Sequence, residues 1–386
     1  MRRRTMAIAA VGLLAAAVPL ALFGPGAGAD TPDKHPGSHE VIDPVQIGKI
    51  SQLKDDLSVD RPSDVLRYPD ARFVKVHFKD LKLPAGDYVT VSNRDGSESY
   101  RYERPSDGMW ATSVTGDTAV VRLHGKDGRL SGAADKLNAD IDKVSRGLSP
   151  REVRAKQEKQ RRTESVCGGD DSKDVACYKS SQPTEYEHAA PVARLLIGGN
   201  TLCTAWRVGP NNRMLTNHHC FSSTAQARDT EVWFNYQCLI CGADVAEDPV
   251  KVNGSKVIAT DETYDYTLFS VDDFSKISRF GHLTLADRQA RSGEELYIPQ
   301  HPNGEPTKLA IDSDVDNGAC KVDDPTFDGY ATASDVSYRC DTDFGSSGSP
   351  VLSRSTHEVI ALHHFGGCPN SGVRSDKLLD RIGSKL

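Results

Sequence analysis

The pattern of apolar and polar positions changes several times along the chain. Residues 30–67 are polar and rich in Pro and Asp, so we expect a poorly ordered segment. Residues 68–126 contain short alternating runs, such as residues 74–78, separated by turn signals such as Asp95-Gly96. Period-two alternation interrupted by turns is typical of strands. It predicts a small β-sandwich over residues 68–126.

Apolar residues then recur at the spacing of a helix. This spacing predicts a helical segment, and the residues that carry it are Leu137, Ile141, Val144 and Leu148. Ser149 and Glu152 form a capping-box pattern that predicts a further helix start. Residues 151–162 are dense in Lys and Arg. We therefore predict a helical, basic linker over residues 127–162 that is exposed to proteolysis and contains a maturation site.

Strand-like runs return after this linker and continue almost to the end. They cover residues 192–197, 232–236, 266–271 and 359–363, and a helical period appears only from about residue 376. This order predicts an all-β domain over residues 163–386, closed by a C-terminal helix.

The first 29 residues carry the features of a secretory signal peptide. Three arginines, residues 2–4, precede an apolar stretch over residues 6–23, and Ala27-Gly28-Ala29 is a small-residue cleavage pattern. We expect cleavage after Ala29 and a secreted protein with no membrane association afterwards. An uncleaved membrane anchor is the alternative.

Composition narrows the possible partners. The formal net charge is −7 and no basic stripe with interleaved aromatic residues is present, so a nucleic-acid partner is not expected. The chain has 9 cysteines, all from Cys167 onwards. In an oxidising compartment most of them should pair, with one left over. The Cys238-x-x-Cys241 spacing leaves a zinc or redox site as an alternative to disulfides.

Three short segments supply the residues of a nucleophilic catalyst. Residues 215–220 contain His219, residues 264–269 contain Asp265, and the Gly-rich residues 345–350 contain Ser347. A serine hydroxyl needs a base to take its proton, a neutral imidazole can do so near pH 7, and a buried carboxylate fixes the imidazole tautomer. The backbone N–H groups of Gly345 and Ser347 are the expected oxyanion hole, because glycine relaxes the local dihedral limits.

These segments resemble the signatures of the chymotrypsin-like serine proteases. Thr-x-x-His-Cys, Asp-x-Thr-Leu and Gly-x-Ser-Gly-x-Pro all occur here, in family order, within residues 216–350. The resemblance covers about residues 165–386 and is closest to secreted bacterial lysyl and glutamyl endopeptidases. It implies two six-stranded antiparallel β-barrels with the active site between them. It also implies hydrolysis of peptide bonds through an acyl-enzyme on Ser347, with His219 as general base and acid and Asp265 orienting it.

The resemblance also implies a disulfide framework. It pairs Cys203 with Cys220, Cys167 with Cys368, and Cys177 with Cys241. Cys320–Cys340 is our own addition, from two nearby strands left with cysteines. Cys238 is then the odd thiol, although Cys238 and Cys241 could exchange roles.

Primary specificity stays open between two interpretations. Asp341 lies six residues before Ser347, where trypsin-like enzymes carry the pocket acid that pairs with substrate Arg or Lys. Thr342 and His363 match positions that glutamyl endopeptidases use to hold a substrate carboxylate. We favour a basic residue, with acidic specificity as the alternative.

Ser346 stands where animal digestive enzymes carry an Asp that salt-bridges the freed N-terminus. Activation here should therefore not use that ion pair, and the Cys167–Cys368 bridge could tether the mature N-terminus instead. Residues 30–162 would be a propeptide, or alternatively an accessory domain that is never removed.

We expect protein or peptide substrates, no cofactor, no metal and a monomer. Two rival functions are a catalytically silent binding protein on the same fold and an esterase. The chain lacks the G-x-S-x-G nucleophile elbow of common lipases.

Overall fold

The computed structural model describes residues 40–41, 45–126, 130, 137–149, 151–153, 155, 166–243 and 245–386. Its strands are β1 (Glu40–Val41), β2 (Val45–Gln46), β3 (Gly48–Leu57), β4 (Ser63–Arg67), β5 (Phe73–Lys82), β6 (Tyr88–Ser92), β7 (Ser99–Tyr102), β8 (Ser106–Trp110), β9 (Val114–Thr115), β10 (Thr118–His124), β11 (Asn138–Gly147), β12 (Lys173–Asp174), β13 (Val192–Ile197), β14 (Thr201–Arg207), β15 (Met214–Thr216), β16 (Thr230–Phe234), β17 (Val250–Asp261), β18 (Tyr266–Val271), β19 (Leu296–Gln300), β20 (Lys308–Ala310), β21 (Asp312–Ser313), β22 (Gly318–Ala319), β23 (Asp335–Tyr338), β24 (Pro350–Ser353), β25 (Val359–Gly366) and β26 (Asn370–Arg374). The α-helices are α1 (Pro183–His188), α2 (Thr224–Arg228), α3 (Phe274–Ile277) and α4 (Ser375–Ile382).

The N-terminal strands form the predicted β-sandwich. One antiparallel sheet has the order β4-β10-β6-β7, and the other has the order β3-β11-β5-β8 with β9 beside β5. Alternate residues of both sheets point inward and form one apolar core, in which Val76, Phe78, Val91 and Val121 are fully buried. The apolar positions of the alternating runs in the sequence therefore form the inward faces of two packed sheets.

The sandwich begins earlier and ends later than expected. Residues 48–57 and 63–67, expected to be poorly ordered, are strands β3 and β4. The helix expected around Ile141 is wrong, because β11 is a strand of 10 residues. In its pairing with β5, two residue steps of β11, from Ile141 to Lys143, stand opposite one step of β5, from Phe78 to His77. This bulge inserts one extra residue, so Ile141 and Val144 are both buried at a spacing of three that imitates a helix.

The expected capping box is present after β11. Glu152 N–H donates to Ser149 Oγ (3.3 Å), and Ser149 N–H donates to Glu152 Oε2 (2.8 Å). Residues 151–153 are helical. Most of the basic linker, with the maturation site expected in it, and the signal peptide lie outside the described residues.

The expected first barrel is closed. Its strands follow the order β13-β16-β17-β18-β15-β14, and β14 pairs with β13 to complete the circle. Leu195, Val232 and Phe269 are among the residues that fill its interior. Closure removes the free edges that an open sheet would expose.

The second half is a curled antiparallel sheet in the order β12-β20-β19-β24-β25-β26-β23. Two isolated bridges, Glu295 with Lys321 and Val322 with Tyr338, connect the start of β19 to β23 through residues 321–322. Leu296, Val336 and Val351 are among the buried residues of its core. The predicted C-terminal helix is α4, whose Leu378 and Ile382 pack against Trp206, Leu362 and other residues of a core shared by both halves.

The sandwich contacts the first barrel through buried charges. Glu231 on β16 lies 2.6 Å from Lys75 Nζ on β5, and their side chains are 0% and 1% exposed. Glu231 also accepts hydrogen bonds from Ser113 N–H (2.8 Å) and Trp233 Nε1–H (2.8 Å). On the other side of Trp233, Lys251 Nζ lies 4.0 Å from the ring centroid. Charges this deeply buried are tolerated because every one of them is paired.

Candidate active site

Strand pairing brings the segment of His219 beside that of Asp265. His219 follows β15 and Asp265 precedes β18, and these strands pair with Thr216 opposite Thr267. His219 Nδ1 lies 2.7 Å from Asp265 Oδ2, and His219 N–H donates to Asp265 Oδ1 at 2.9 Å. The two residues therefore meet as the sequence predicted, with both carboxylate oxygens facing His219.

Asp265 is held firmly in this position. Its backbone has φ 40°, a left-handed conformation, and its carbonyl accepts a 2.9 Å hydrogen bond from Asn217 Nδ2. Burial alone would raise the pKa of Asp265, but the charge and hydrogen bonds of His219 and His364 lower it below its ordinary value. Asp265 is thus an ionised carboxylate that can fix the His219 tautomer and stabilise its charged form.

His364 is a site residue that sequence reasoning missed. Its Nδ1 lies 3.2 Å from Asp265 Oδ2 and its Nε2 lies 2.6 Å from Asp335 Oδ2. Burial would lower the pKa of His364, but Asp335 and Asp265 raise it to about 9. His364 is therefore a buried imidazolium that donates to two carboxylates. In the sequence, His363 and His364 are adjacent residues of a strand-like run, and adjacent strand residues point to opposite faces, so nothing local indicated a contact with Asp265.

Asp335 is the second missed residue. It is buried at the start of β23, and its Oδ2 accepts a 2.8 Å hydrogen bond from Ser371 Oγ in addition to the His364 contact. Burial would raise the pKa of Asp335, but the His364 charge lowers it. No sequence motif identifies Asp335, because its contacts with His364 and Ser371 arise only when the strands of this sheet pair.

Ser347 lies in a tight turn before β24. Gly345 and Gly348 adopt φ of +91° and +89°, which a side chain would strain. Thr204 fixes the turn from β14: its N–H donates to Ser347 O (2.8 Å) and its Oγ1 donates to Gly345 O (2.9 Å). A Cβ at Gly348 would lie 2.1 Å from Thr204 O, so this contact also requires glycine.

The turn leaves the expected oxyanion donors available. Thr204 donates to the carbonyl groups of Gly345 and Ser347. The N–H groups of the same two residues donate to no protein acceptor in the described part of the chain. His219 Nε2 is likewise buried without a hydrogen-bond partner among those residues, so no His219–Ser347 bond is formed. Such bonds are often long in ligand-free enzymes and shorten when substrate binds.

Asp341 is used for a structural contact. Its side chain is buried, Oδ1 accepts from Cys167 N–H (2.9 Å) and Oδ2 accepts from Asp171 N–H (2.8 Å). Burial raises the pKa of Asp341 to about 6, against the lowering effect of these hydrogen bonds. The carboxylate therefore holds the start of the barrel domain in place.

Thr342 and His363 contain unused polar atoms. Thr342 Oγ1 and His363 Nε2 are both buried and have no hydrogen-bond partner within the described chain. His363 Nδ1 lies 2.7 Å from Tyr338 Oη, and burial lowers the pKa of His363 to about 3. A neutral His363 that accepts from Tyr338 carries its proton on Nε2. Buried polar atoms normally have partners, so these two are candidates for ligand contact.

All four expected disulfides are formed. They are Cys167–Cys368, Cys177–Cys241, Cys203–Cys220 and Cys320–Cys340. Cys203–Cys220 joins β14 to the residue after His219, and Cys167–Cys368 anchors the segment that contacts Asp341. Cys238 is buried and belongs to none of the four bridges.

One histidine–cysteine group in the described ranges has ligand atoms close enough for a metal. It consists of Cys203, His219 and Cys220. The two cysteines form a disulfide, so their sulfur atoms are not thiolate ligands.

We also find no helix in the described ranges that is long and apolar enough to span a membrane.

Comparison with known proteins identifies a domain profile and a relative that match this chain. Residues 203–362 match a family profile described as a trypsin-like peptidase domain. A protein of Plasmopara viticola, "Secreted RxLR effector protein 73", is 33% identical over 330 residues, which cover 80% of this chain and 79% of that protein. The chain contains a trypsin-like peptidase domain. The long match to the relative extends well beyond the peptidase profile.

Two solved structures match about half of the chain at low similarity. A Glu endopeptidase complex is 19% identical, covers 57% of this chain and 97% of its own, and has a TM-score of 0.41. The inactive form of the Rv3671c protease is 14% identical, covers 57% of this chain and 98% of its own, and has a TM-score of 0.40.

Proposed function

We propose that this trypsin-like protease is a secreted serine endopeptidase that acts through an acyl-enzyme on Ser347. His219 takes the serine proton and later returns it to the leaving amine, while Asp265 keeps the imidazole in the productive tautomer. The N–H groups of Gly345 and Ser347 stabilise the oxyanion of the tetrahedral intermediate. No cofactor is needed for these steps.

The observation that carries this proposal is the environment of Asp265. Its two oxygens accept from His219 Nδ1–H and His219 N–H, at 2.7 and 2.9 Å. This double contact orients Nε2 away from Asp265, which is the geometry that a general base requires. The N–H groups of Gly345 and Ser347, which have no acceptor in the described part of the chain, add the second requirement of acyl transfer.

The contacts of the pocket residues favour an acidic residue on the acyl side of the cut. Asp341 has each oxygen engaged by a backbone N–H, so it is poorly suited to bind a substrate cation. Thr342 Oγ1 and His363 Nε2 are buried without a hydrogen-bond partner in the described part of the chain. A substrate carboxylate would accept from the Thr342 hydroxyl and from Nε2–H of the His363 tautomer whose Nδ1 accepts from Tyr338 Oη–H. The basic specificity favoured from the spacing to Ser347 is therefore the second candidate.

Secretion is supported by three independent features. The N-terminal residues carry a signal-peptide pattern, the cysteines form four disulfides, which suit an oxidising compartment, and the relative from Plasmopara viticola is named a secreted protein. We propose that residues 30–162 are a propeptide and that cleavage in the basic linker releases the barrel domain as a monomer.

Covalent labelling tests the proposed nucleophile. A fluorophosphonate probe should label the purified protein on Ser347, and Ser347→Ala should abolish labelling while the melting temperature stays unchanged. Labelling that persists in the variant would contradict the assignment. A folded wild type that neither reacts with the probe nor hydrolyses peptides would favour the silent binding protein. The observation that supports this second candidate is that His219 Nε2 has no hydrogen-bond partner among the described residues.

A further inference from the structure

Two strand edges border the candidate site on opposite sides. Phe365 and Gly366 end β25 directly after His364, which contacts Asp265. The neighbouring strand β24 pairs with β25 only up to Leu362, so this edge extends beyond β24. On the other side, Thr201 and Leu202 begin β14, just before Cys203 and the Thr204 contacts to the Ser347 turn.

The first described residues of the chain fill both edges. Glu40 and Val41 of β1 pair antiparallel with Gly366 and Phe365. Val45 and Gln46 of β2 pair antiparallel with Leu202 and Thr201. Four residue steps separate Val41 from Val45, so the two edges lie at most about 14 Å apart at these residues. The two ends of one short stretch of chain therefore pair with β25, next to the contacts of Asp265, and with β14, next to the contacts of the Ser347 turn.

Main-chain pairing along a strand edge is the usual way in which an extended peptide is held. An edge that is already paired has its N–H and C=O groups occupied and cannot accept a second strand. We propose that β1 and β2 (residues 40–41 and 45–46) form an autoinhibitory strand segment that occupies the groove in which an extended peptide substrate binds. This inference rests on the proposed peptidase function and adds how that site is kept inactive.

The β-sandwich keeps this strand in place. Ile47 N–H and Gly48 N–H both donate to Asn200 O, at 2.7 and 3.0 Å, immediately after β2. A Cβ at Gly48 would lie 2.4 Å from Gly199 O, so the chain passes too close to the barrel for any side chain. The sandwich that follows is fixed to the barrel through the buried Lys75–Glu231 pair. A tethered strand binds at a high effective concentration, even when its own affinity is low.

Removing the strand should therefore activate the enzyme. We expect a chain that starts at Ile47 to hydrolyse a peptide ending in Glu at least about tenfold faster than the intact chain, because the free groove is then the major state. Val41→Pro in the intact chain should act in the same direction, since proline cannot complete the ladder. Val41→Ala keeps the N–H and is the matched control, expected to stay inhibited. Circular dichroism and the melting temperature establish that each variant is folded.

A binding measurement separates this inference from the proposed function. A fluorescent peptide of residues 38–46 should bind the Ser347→Ala chain that starts at Ile47, with a scrambled peptide as control. The peptide is titrated to about 1 mM, the effective concentration of a short tether. Saturable, sequence-dependent binding supports the strand even if neither the intact nor the shortened chain hydrolyses peptides. Equal, measurable hydrolysis by the intact and shortened chains, or no binding of the peptide, would overturn it.

Discussion

His364 Nε2 lies 2.6 Å from Asp335 Oδ2, while its Nδ1 faces Asp265 Oδ2 at 3.2 Å. One buried imidazolium thus joins the aspartate beside His219 to a second aspartate on β23. Two negative carboxylates share this positive charge, which stabilises both in an interior where an unpaired charge would be costly. The charge state of Asp265 therefore depends on a residue outside the proposed triad.

This cluster predicts a defined pH dependence of stability. The pKa of folded His364 is about 9, above its ordinary value, so its contribution is complete below about pH 6.5 and is lost as the pH rises towards 9. The pKa values of Asp265 and Asp335 are lowered, so their contribution is present above about pH 4 and is lost as the pH falls below it. Urea unfolding of Ser347→Ala across this range should show the maximum between these limits. A free energy of unfolding that rises from pH 7 to 9 would contradict the assignment.

His364→Gln should destabilise the protein strongly. Gln is neutral, so Asp265 and Asp335 lose their shared positive charge, and breaking a buried charge pair costs about 3–5 kcal/mol. His282→Gln is the matched control: His282 is exposed, and a surface change should stay within about 0.5 kcal/mol. Equal unfolding midpoints in urea for the two variants would show that His364 does not bridge the carboxylates.

Thr342→Val should separate substrate binding from stability. The change removes a buried hydroxyl that has no partner in the described structure, so the free energy of unfolding should not fall. Loss of one hydrogen bond to a substrate carboxylate should lower kcat/KM for a peptide ending in Glu by about tenfold to a hundredfold. The rate with a peptide ending in Phe is the internal control. An unchanged Glu-to-Phe ratio would exclude Thr342 from the pocket.

Asp341→Asn tests whether this carboxylate anchors the start of the barrel domain. The Asn side chain carries an NH2 group in place of one oxygen, so either the Cys167 N–H or the Asp171 N–H would face a donor. Hydrogen exchange over residues 167–171 should become faster, while the preferred residue at the cut stays acidic. If the variant instead loses cleavage after Lys or Arg and exchange is unchanged, Asp341 is a specificity residue.

Glu231→Gln tests the contact between sandwich and barrel. It leaves Lys75 buried without its counter-charge, and we expect a loss of about 3–5 kcal/mol in the free energy of unfolding. Asp273→Asn is the matched control, because the Asp273–Lys276 pair is exposed and such pairs contribute at most about 1 kcal/mol. Both variants should be compared by urea unfolding in the Ser347→Ala background, where self-cleavage is prevented. A small effect of Glu231→Gln would mean that the two parts are held mainly by apolar contacts.

The sequence was most informative where short motifs or simple alternation determine structure. His219, Asp265 and Ser347 each lie in a sequence motif. The pairing of β15 with β18 brings His219 beside Asp265, and Cys220 Sγ, in the residue after His219, lies 4.0 Å from Ser347 O. The inward residues of the sandwich and of β13 and β18 were readable from their apolar pattern. The four disulfides followed from family resemblance and from the leftover pair Cys320 and Cys340.

The remaining features depend on contacts that no local pattern encodes. The bulge at residues 141–143 gives the buried positions of strand β11 a spacing that resembles that of a helix. His364 and Asp335 are 29 residues apart and meet only through the pairing of β25, β26 and β23. The pairings of β1 and β2 are main-chain contacts, so almost any side chains are compatible with them. Such long-range relationships require the three-dimensional structure.

Peptide hydrolysis tests the central claim most directly. The intact chain, the chain that starts at Ile47 and its Ser347→Ala variant should be assayed with matched peptides ending in Glu, Lys, Arg or Phe before the reporter group. We predict cleavage after Glu by the chain that starts at Ile47, a slower rate for the intact chain and none for the variant. Cleavage after Lys or Arg would retain the serine protease and reverse the specificity. Equal hydrolysis by wild type and Ser347→Ala, or none by any folded form, would contradict the account.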